Sequence, residues 1–126
     1  MEINCEKRDG ILYLCLHGRL DSATAAEMED RLLSLVSGER QVVVDLAGVE
    51  YASVSALRAL LRVAKRVASA DGKLVAHSLS HQVRQVCDIT GMAMVLRLFD
   101  SREEAMVGVG NTGLLPASLL RSVARV

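Results

Sequence analysis

Hydrophobic and polar residues form short blocks along the chain, and most blocks have the length of one strand or one helix. At the N-terminus, residues 2–7 and 11–17 have strand character and are separated by Asp9-Gly10. Asp-Gly is a favoured two-residue hairpin turn because both central positions need a positive φ. The second segment is apolar at successive positions, which is typical of a strand inside a sheet. The pattern predicts an antiparallel hairpin.

Beyond the hairpin, helical and strand-like segments alternate. Strand character is found at 41–46, 73–77 and 94–99, and helical periodicity from Asp21 or Ser22 to Gly38, at 53–69, at 81–89 and from Ser101 onward. A strand, a helix and a second strand in sequence imply a right-handed crossover and parallel pairing. The order β-β-α-β-α-β-α-β-α therefore predicts an α/β fold, with a mixed sheet of four to five strands and about four helices packed on it.

Apolar spacing also assigns a buried face to the first two helices. In the first helix the predicted stripe is Ala25, Met28, Leu32, Leu35 and Val36. In the second helix it is Val54, Leu57, Leu61, Ala64 and Ala68. Four basic residues project from the other side of the second helix, with no acidic residue before Asp71: Arg58, Arg62, Lys65 and Arg66. Such a set is either a solvated face or a contact for an acidic partner, since like charges one turn apart repel by roughly a few tenths of a kcal/mol.

Composition limits the class of protein. The 126 residues fit one domain, and with no Trp, one Phe and two Tyr its core must be aliphatic. Acidic and basic residues balance at 15 each, so no direct nucleic-acid binding is expected. No apolar run approaches the roughly 20 residues of a membrane span, and residues 1–4 do not begin a secretory signal. The widely spaced Cys5, Cys15 and Cys87 are typical of reduced thiols. We expect a cytoplasmic protein without membrane insertion.

The sequence offers no recognisable catalytic motif. It contains neither a nucleophile elbow nor a glycine-rich phosphate loop. His77 and His81 straddle a predicted strand-to-helix break, so their spacing does not imply metal geometry. We therefore expect no enzymatic activity, no cofactor and no metal site.

The character of the chain changes after Gly108. Residues 110–113 resemble a linker, and Leu119, Leu120 and Val123 then lie near one face of an amphipathic segment. We place one domain at 1–109 and a C-terminal tail at 110–126. The tail either is frayed or lies along its own domain, or it forms a short amphipathic helix for docking or for a homodimer, since such a segment needs something to cover it.

Four segments lie in an order that is typical of one known family. They are Gly18-Arg19-Leu20-Asp21 before a helix, Val43-Val44-Asp45-Leu46 followed by Val49 and Tyr51, Ser55-Ala56-Leu57 at the start of the second helix, and Gly91 before an apolar strand and an acidic helix start. Over about residues 1–107 the chain resembles STAS domains, specifically the anti-sigma factor antagonists. The resemblance implies the STAS fold.

The same resemblance implies a partner and a switch. In this family a serine at the start of the second helix is phosphorylated by an anti-sigma factor with an ATP-binding serine-kinase fold. The unphosphorylated antagonist binds that partner and frees the sigma factor; phosphorylation releases the antagonist, and a phosphatase resets it. By register, Ser55 is the expected phosphoacceptor. Together with the basic helix face, the resemblance implies that Asp21, Ser53, Arg58 and Arg62 contact the partner.

The segment around Ser55 departs from the family pattern. Switching members often read Asp-Ser-Ser-Gly, whereas this chain reads Ser53-Val54-Ser55-Ala56. If Ser53 is the N-cap, Ser55 lies in the first turn, where free backbone N–H groups favour a phosphate. The alternative is that both serines only cap the helix.

Two other functions stay open within the same fold. One is a non-phosphorylated STAS subunit of a membrane lipid ABC transporter, for which co-purification with an ATPase would speak. The other is a STAS scaffold or sensory module, for which a large particle or a co-purified ligand would speak.

Overall fold

Residues 1–110 of the chain are described by a computed structural model. The strands are β1 (Glu2–Arg8), β2 (Ile11–His17), β3 (Gln41–Gly48), β4 (Lys73–His77) and β5 (Arg97–Phe99). The helices are α1 (Ser22–Val36), α2 (Val54–Ser69), α3 (His81–Thr90) and α4 (Arg102–Gly108), with one 3₁₀ turn at Met92–Met94. From residue 111 onward the predicted tail lies outside the described residues.

The five strands form one mixed sheet in the order β1-β2-β3-β4-β5. β1 and β2 are antiparallel, and every later neighbour is parallel. The hairpin turns at Asp9 (φ 54°) and Gly10 (φ 80°), both left-handed, as the Asp-Gly pair predicts. The predicted α/β class, the mixed sheet and the order of elements are therefore confirmed.

The two faces of the sheet are covered unequally. On one face, Leu14, Val44 and other buried residues of the strands pack with apolar residues of the helices, such as Met28, Leu32 and Leu60, in a single core. Fully burying one such leucine stabilises the fold by about 1.5–3 kcal/mol. On the other face, Ala105 of α4 and Val109, the C-cap of that helix, form a small second cluster with strand residues, Ile11, Val43 and Val75. Within residues 1–110, the short α4 covers only part of this second face.

The predicted buried stripe of α2 is wrong in phase. The buried residues are Ala56, Leu57, Ala59, Leu60, Val63 and Val67, whereas Val54 is 36% exposed and Ala68 is exposed. Apolar residues occupy nearly every position of α2 that is not basic, so several stripes had helical spacing. The small side chains of Ala56 and Ala59 allow the helix to approach the core closely. The four basic residues are exposed, as predicted.

The predicted last strand is shorter than its apolar run. Gly91 (φ 77°) ends α3 in the left-handed conformation, as expected of a C-cap glycine. The chain then makes turn hydrogen bonds, from Met94 N to the Gly91 carbonyl and from Leu96 N to the Met92 carbonyl. Because these turns use the backbone groups, pairing with β4 begins only at Arg97, and Met94 is 90% exposed.

Candidate functional site

The N-terminal ends of α1 and α2 meet at one edge of the sheet. An isolated parallel bridge joins Leu20 to Ala52. Leu20 N donates to the Tyr51 carbonyl at 3.0 Å, and Ser53 N donates to the Leu20 carbonyl at 2.8 Å. The segments that lead into the two helices are thus fixed to each other by backbone bonds, and their N-caps lie side by side.

Asp21 caps α1 through a reciprocal arrangement. Its Oδ1 accepts from Ala23 N at 3.0 Å and from Thr24 N at 3.1 Å, and Thr24 Oγ1 accepts from Asp21 N at 3.1 Å. The other carboxylate oxygen lies 3.7 Å from the Arg19 guanidinium. An N-cap of this kind stabilises a protein by about 1 kcal/mol. The cap at the start of this helix, predicted at Asp21 or Ser22, is therefore Asp21, while the partner contact that the resemblance implies for Asp21 stays a prediction.

Ser53 and Ser55 have different environments. Ser53 Oγ accepts from Ala56 N at 3.1 Å and is the N-cap of α2. Ser55 lies two residues further on, is exposed, and its hydroxyl makes no hydrogen bond with another residue within 1–110. At this position the unpaired N–H groups and the helix dipole favour negative charge. Ser53 is thus held in place by its cap bond, whereas Ser55 has no such bond to any residue of 1–110.

Arg58 and Arg62 also differ in what they contact. Arg62 Nε donates to both carboxylate oxygens of Glu29 on α1 at 3.0 Å, and its Nη2 donates to Oε1 at 2.7 Å. This bond lowers the pKa of Glu29 and raises that of Arg62. Arg58, one turn after Ser55, is exposed and forms no ion pair with residues 1–110. The sequence of α2 alone does not indicate that Arg62 pairs with Glu29, because Glu29 belongs to the neighbouring helix α1.

Two further residues of this edge were missed as site residues. The Arg19 guanidinium stacks on the Tyr51 ring, 3.9 Å from its centroid. Both residues lie two positions before an N-cap, Arg19 before Asp21 and Tyr51 before Ser53. That shared spacing is the signal that could have found them. A guanidinium on an aromatic face forms a contact of about 0.5–1 kcal/mol when exposed.

The start of α3 holds the loop before α2 in place. Gln82 Oε1 accepts from Ala52 N at 3.0 Å, and Gln82 Nε2 donates to the Ala52 carbonyl at 3.2 Å. Ser80 Oγ donates to the Glu50 carbonyl at 3.0 Å and also caps α3 by accepting from Val83 N. Backbone groups that are paired in this way stay ordered. The edge around Ser53 and Ser55 is therefore preformed.

Comparison with known proteins identifies the family of this fold. The model of the STAS domain matches residues 2–105. The chain belongs to the STAS domain family. The Bordetella bronchiseptica protein BtrV, which carries the name of an anti-sigma factor antagonist, is 40% identical over 106 residues, 83% of this chain and 91% of BtrV. The resemblance predicted from the four sequence segments is confirmed.

Solved structures agree on the fold. A Thermotoga maritima protein named as an anti-sigma factor antagonist has a TM-score of 0.78 at 20% identity, over 85% of this chain and 93% of that one. Unphosphorylated SpoIIAA gives 0.71 at 15% identity, over 87% and 97% of the two chains. The phosphorylated form of this Bacillus protein gives 0.63 at 15% identity, over 86% and 99%. At these identities the likeness establishes the STAS fold and nothing finer.

The remaining expectations concern membranes and metals. Within residues 1–110 no helix is long and apolar enough to cross a bilayer. The same residues bring together no group of three or more potential metal ligands.

Proposed function

We propose that this protein is an anti-sigma factor antagonist acting in the cytoplasm. It binds an anti-sigma factor with a serine-kinase fold and so frees the sigma factor. Phosphorylation of Ser55 ends that binding, and a phosphatase restores it. The observation that carries the proposal is the exposed hydroxyl of Ser55 in the first turn of α2, which forms no hydrogen bond with another residue of 1–110 and lies beside a preformed edge. The relationship to BtrV supports the partner class.

The proposed contact surface surrounds Ser55. Arg58, one turn along α2, offers a guanidinium that no acid within residues 1–110 pairs, and the stacked Arg19 and Tyr51 lie at the edge beside Ser53. Arg62 contributes only if the partner's carboxylates compete with Glu29 for its guanidinium. Asp21 and Ser53 shape the surface through their caps. A partner with acidic groups facing Arg58 fits this arrangement best.

Phosphorylation acts on this surface in two ways. A phosphate adds about −1.5 to −2 charge at pH 7, which repels acidic groups on the partner. It also lies three residues before Arg58, a separation at which helical side chains are neighbours. An intramolecular pair between the phosphate and Arg58 would remove that arginine from the partner. Both effects lower affinity without any change of fold.

The direct experiment is phosphorylation by the cognate kinase-fold anti-sigma factor. The full chain is incubated with that protein and ATP, and the modified residue is located by mass spectrometry. We expect one phosphate, on Ser55, and none on Ser55→Ala. Ser53→Ala is the comparison variant, because it removes the neighbouring hydroxyl and its cap bond but keeps Ser55, so it should still be labelled on Ser55. Unlabelled wild type, or undiminished labelling of Ser55→Ala, contradicts the proposed switch.

A further inference from the structure

A cavity of about 220 Å³ opens on the sheet face opposite α1, α2 and α3. In the described part of the chain, residues 1–110, it lies beside α4, and its principal lining residues are Tyr13, Cys15, Val43, Asp45, His77 and Arg102. A cavity of about 150 Å³ is enough for a six-membered aromatic ring. The space therefore suits a small organic molecule, and it is separate from the helix edge that carries Ser55.

Three polar residues cross the floor of this cavity in register. Cys15 is paired with Asp45 and Asp45 with His77 on three adjacent parallel strands. Cys15 Sγ lies 3.8 Å from Asp45 Oδ2, and Asp45 Oδ1 accepts from Ala47 N at 2.8 Å. Polar groups in the middle of a sheet are costly to bury without partners. Their alignment in one row makes this part of the sheet unlike its apolar neighbours.

His77 is the most deeply buried of the three. It is 3% exposed, and its Nδ1 pairs with Ser78 Oγ at 2.8 Å. No atom of residues 1–110 forms a hydrogen bond with its Nε2. Ser78 has a φ of 62°, a left-handed conformation that is strained for a residue with a side chain. A buried ring nitrogen without a partner, on the wall of a cavity, is typical of a group that receives a ligand.

Two of the charged lining residues have no ion-pair partner within residues 1–110. Burial lowers the pKa of His77 and raises that of Cys15, so both are neutral near pH 7. Glu6, also at the cavity, is paired with Arg8. The Asp45 carboxylate and the Arg102 guanidinium remain. Arg102 stacks on Tyr13, 4.7 Å from its ring centroid, and forms no ion pair within residues 1–110.

We propose that this cavity binds a small zwitterion of amino-acid size, with its cationic group at Asp45 and its carboxylate at Arg102. The apolar middle of the molecule then lies against Tyr13 and Val43, and His77 accepts or donates one hydrogen bond. Guanidinium groups recognise carboxylates through paired N–H donors, so Arg102 fixes the orientation of the ligand in the cavity. A simple anion fits less well because Asp45 repels it.

The test uses a rigid zwitterion as a probe. The full chain, labelled with ¹⁵N, is titrated with 4-(aminomethyl)benzoate and followed by two-dimensional NMR. We expect saturable shifts of the backbone amides of Cys15, Asp45, His77 and Arg102. Benzylamine and 4-methylbenzoate each lack one charge of the probe, and we expect each to bind about tenfold or more weakly. Equal affinity of all three probes, or no saturable shift at these amides, overturns the proposal.

A matched pair of variants separates the site from general charge effects. Arg102→Gln removes the exposed guanidinium at the cavity, and we expect about a tenfold loss of affinity for the probe. Arg97→Gln removes an exposed arginine of β5 outside the cavity and should leave affinity unchanged. Both arginines are exposed, and Arg102→Gln removes in addition the stacking contact with Tyr13. If Arg102→Gln binds the probe as the wild type does, the proposed orientation is wrong.

Discussion

The N-terminal ends of α1 and α2 lie side by side but differ in how many of their backbone N–H groups bind a capping side chain. In α1, Asp21 accepts from two backbone N–H groups, and Thr24 returns a bond to the cap. In α2, Ser53 accepts from one, Ala56 N, and the hydroxyl of Ser55 forms no hydrogen bond with another residue in the described range 1–110. Unpaired N–H groups at a helix start attract anions. The more extensive cap stabilises the start of α1, whereas the start of α2 retains more backbone N–H groups that could bind an anion.

The largest expected effect comes from placing a charge at the open end. Ser55→Asp should lower affinity for the kinase-fold anti-sigma factor by about 100-fold, because it puts a carboxylate where the proposed phosphate acts. Ala23→Asp is the position-matched control, since Ala23 is exposed and lies two residues after the cap of α1. Isothermal titration calorimetry measures both variants. An equal loss of affinity in Ala23→Asp would mean that the partner responds to the total charge of this edge rather than to the charge at residue 55.

The basic face of α2 gives the next effect. Arg58→Glu should weaken partner binding by about tenfold, and more so at low salt, because Arg58 is exposed and unpaired within residues 1–110. Lys65→Glu makes the same charge change two turns further from Ser55. Surface plasmon resonance at two salt concentrations compares the two variants. A larger loss in Lys65→Glu would move the contact surface toward the C-terminal end of the helix.

The caps themselves predict a difference in stability. Asp21→Ala should lower the free energy of unfolding by about 1–2 kcal/mol, and Ser53→Ala by about 0.5–1 kcal/mol, because the first removes more backbone bonds. Urea denaturation followed by circular dichroism measures both. Asp21→Asn keeps an accepting oxygen and should lose only a few tenths of a kcal/mol, on the order of other exchanges between good caps. If Ser53→Ala is the more destabilising change, the additional hydrogen bonds of the reciprocal cap in α1 do not contribute to the free energy of unfolding.

The sequence predicted the fold better than it predicted the site. The Asp-Gly turn, the caps Asp21, Ser53 and Ser80, and Gly91 each act through bonds with close neighbours in the chain, so local patterns identify them. The phase of α2 was wrong because burial there depends on which side meets the sheet, and its apolar residues allowed several phases. No local sequence pattern indicated the contacts that join one helix or strand to another.

Arg62 shows this limit most clearly. In the sequence it belongs to a basic face without an acid, and in the structure it holds Glu29 of α1 in a bidentate pair. Likewise, nothing around Gln82 in the sequence points to the backbone of Ala52, thirty residues earlier. Such contacts follow from the packing of one helix against another. Only after the fold is known can Arg58 and Arg62 be separated into a free and an occupied guanidinium.

The pair between Glu29 and Arg62 predicts the smallest effect, a change in the pH dependence of stability. The pKa of Glu29 is lowered in the folded state by the hydrogen bond from Arg62. Its stabilising contribution is therefore complete above the ordinary glutamate pKa of about 4.3 and is lost as pH falls through the lower folded value. Urea denaturation of Glu29→Gln and wild type at pH 7 and pH 3 measures this.

We expect the free energies of unfolding of Glu29→Gln and wild type to differ more at pH 7 than at pH 3. Glu27→Gln serves as the control, because Glu27 is an exposed acid on the same helix and forms no ion pair within residues 1–110. The pair is at the surface, so the difference should be small and should shrink further in high salt. A difference between Glu29→Gln and wild type that is the same at both pH values would mean that the pair joins α1 to α2 without stabilising the contact. In that case Arg62 is as available to a partner as Arg58, and the distinction between the two arginines disappears.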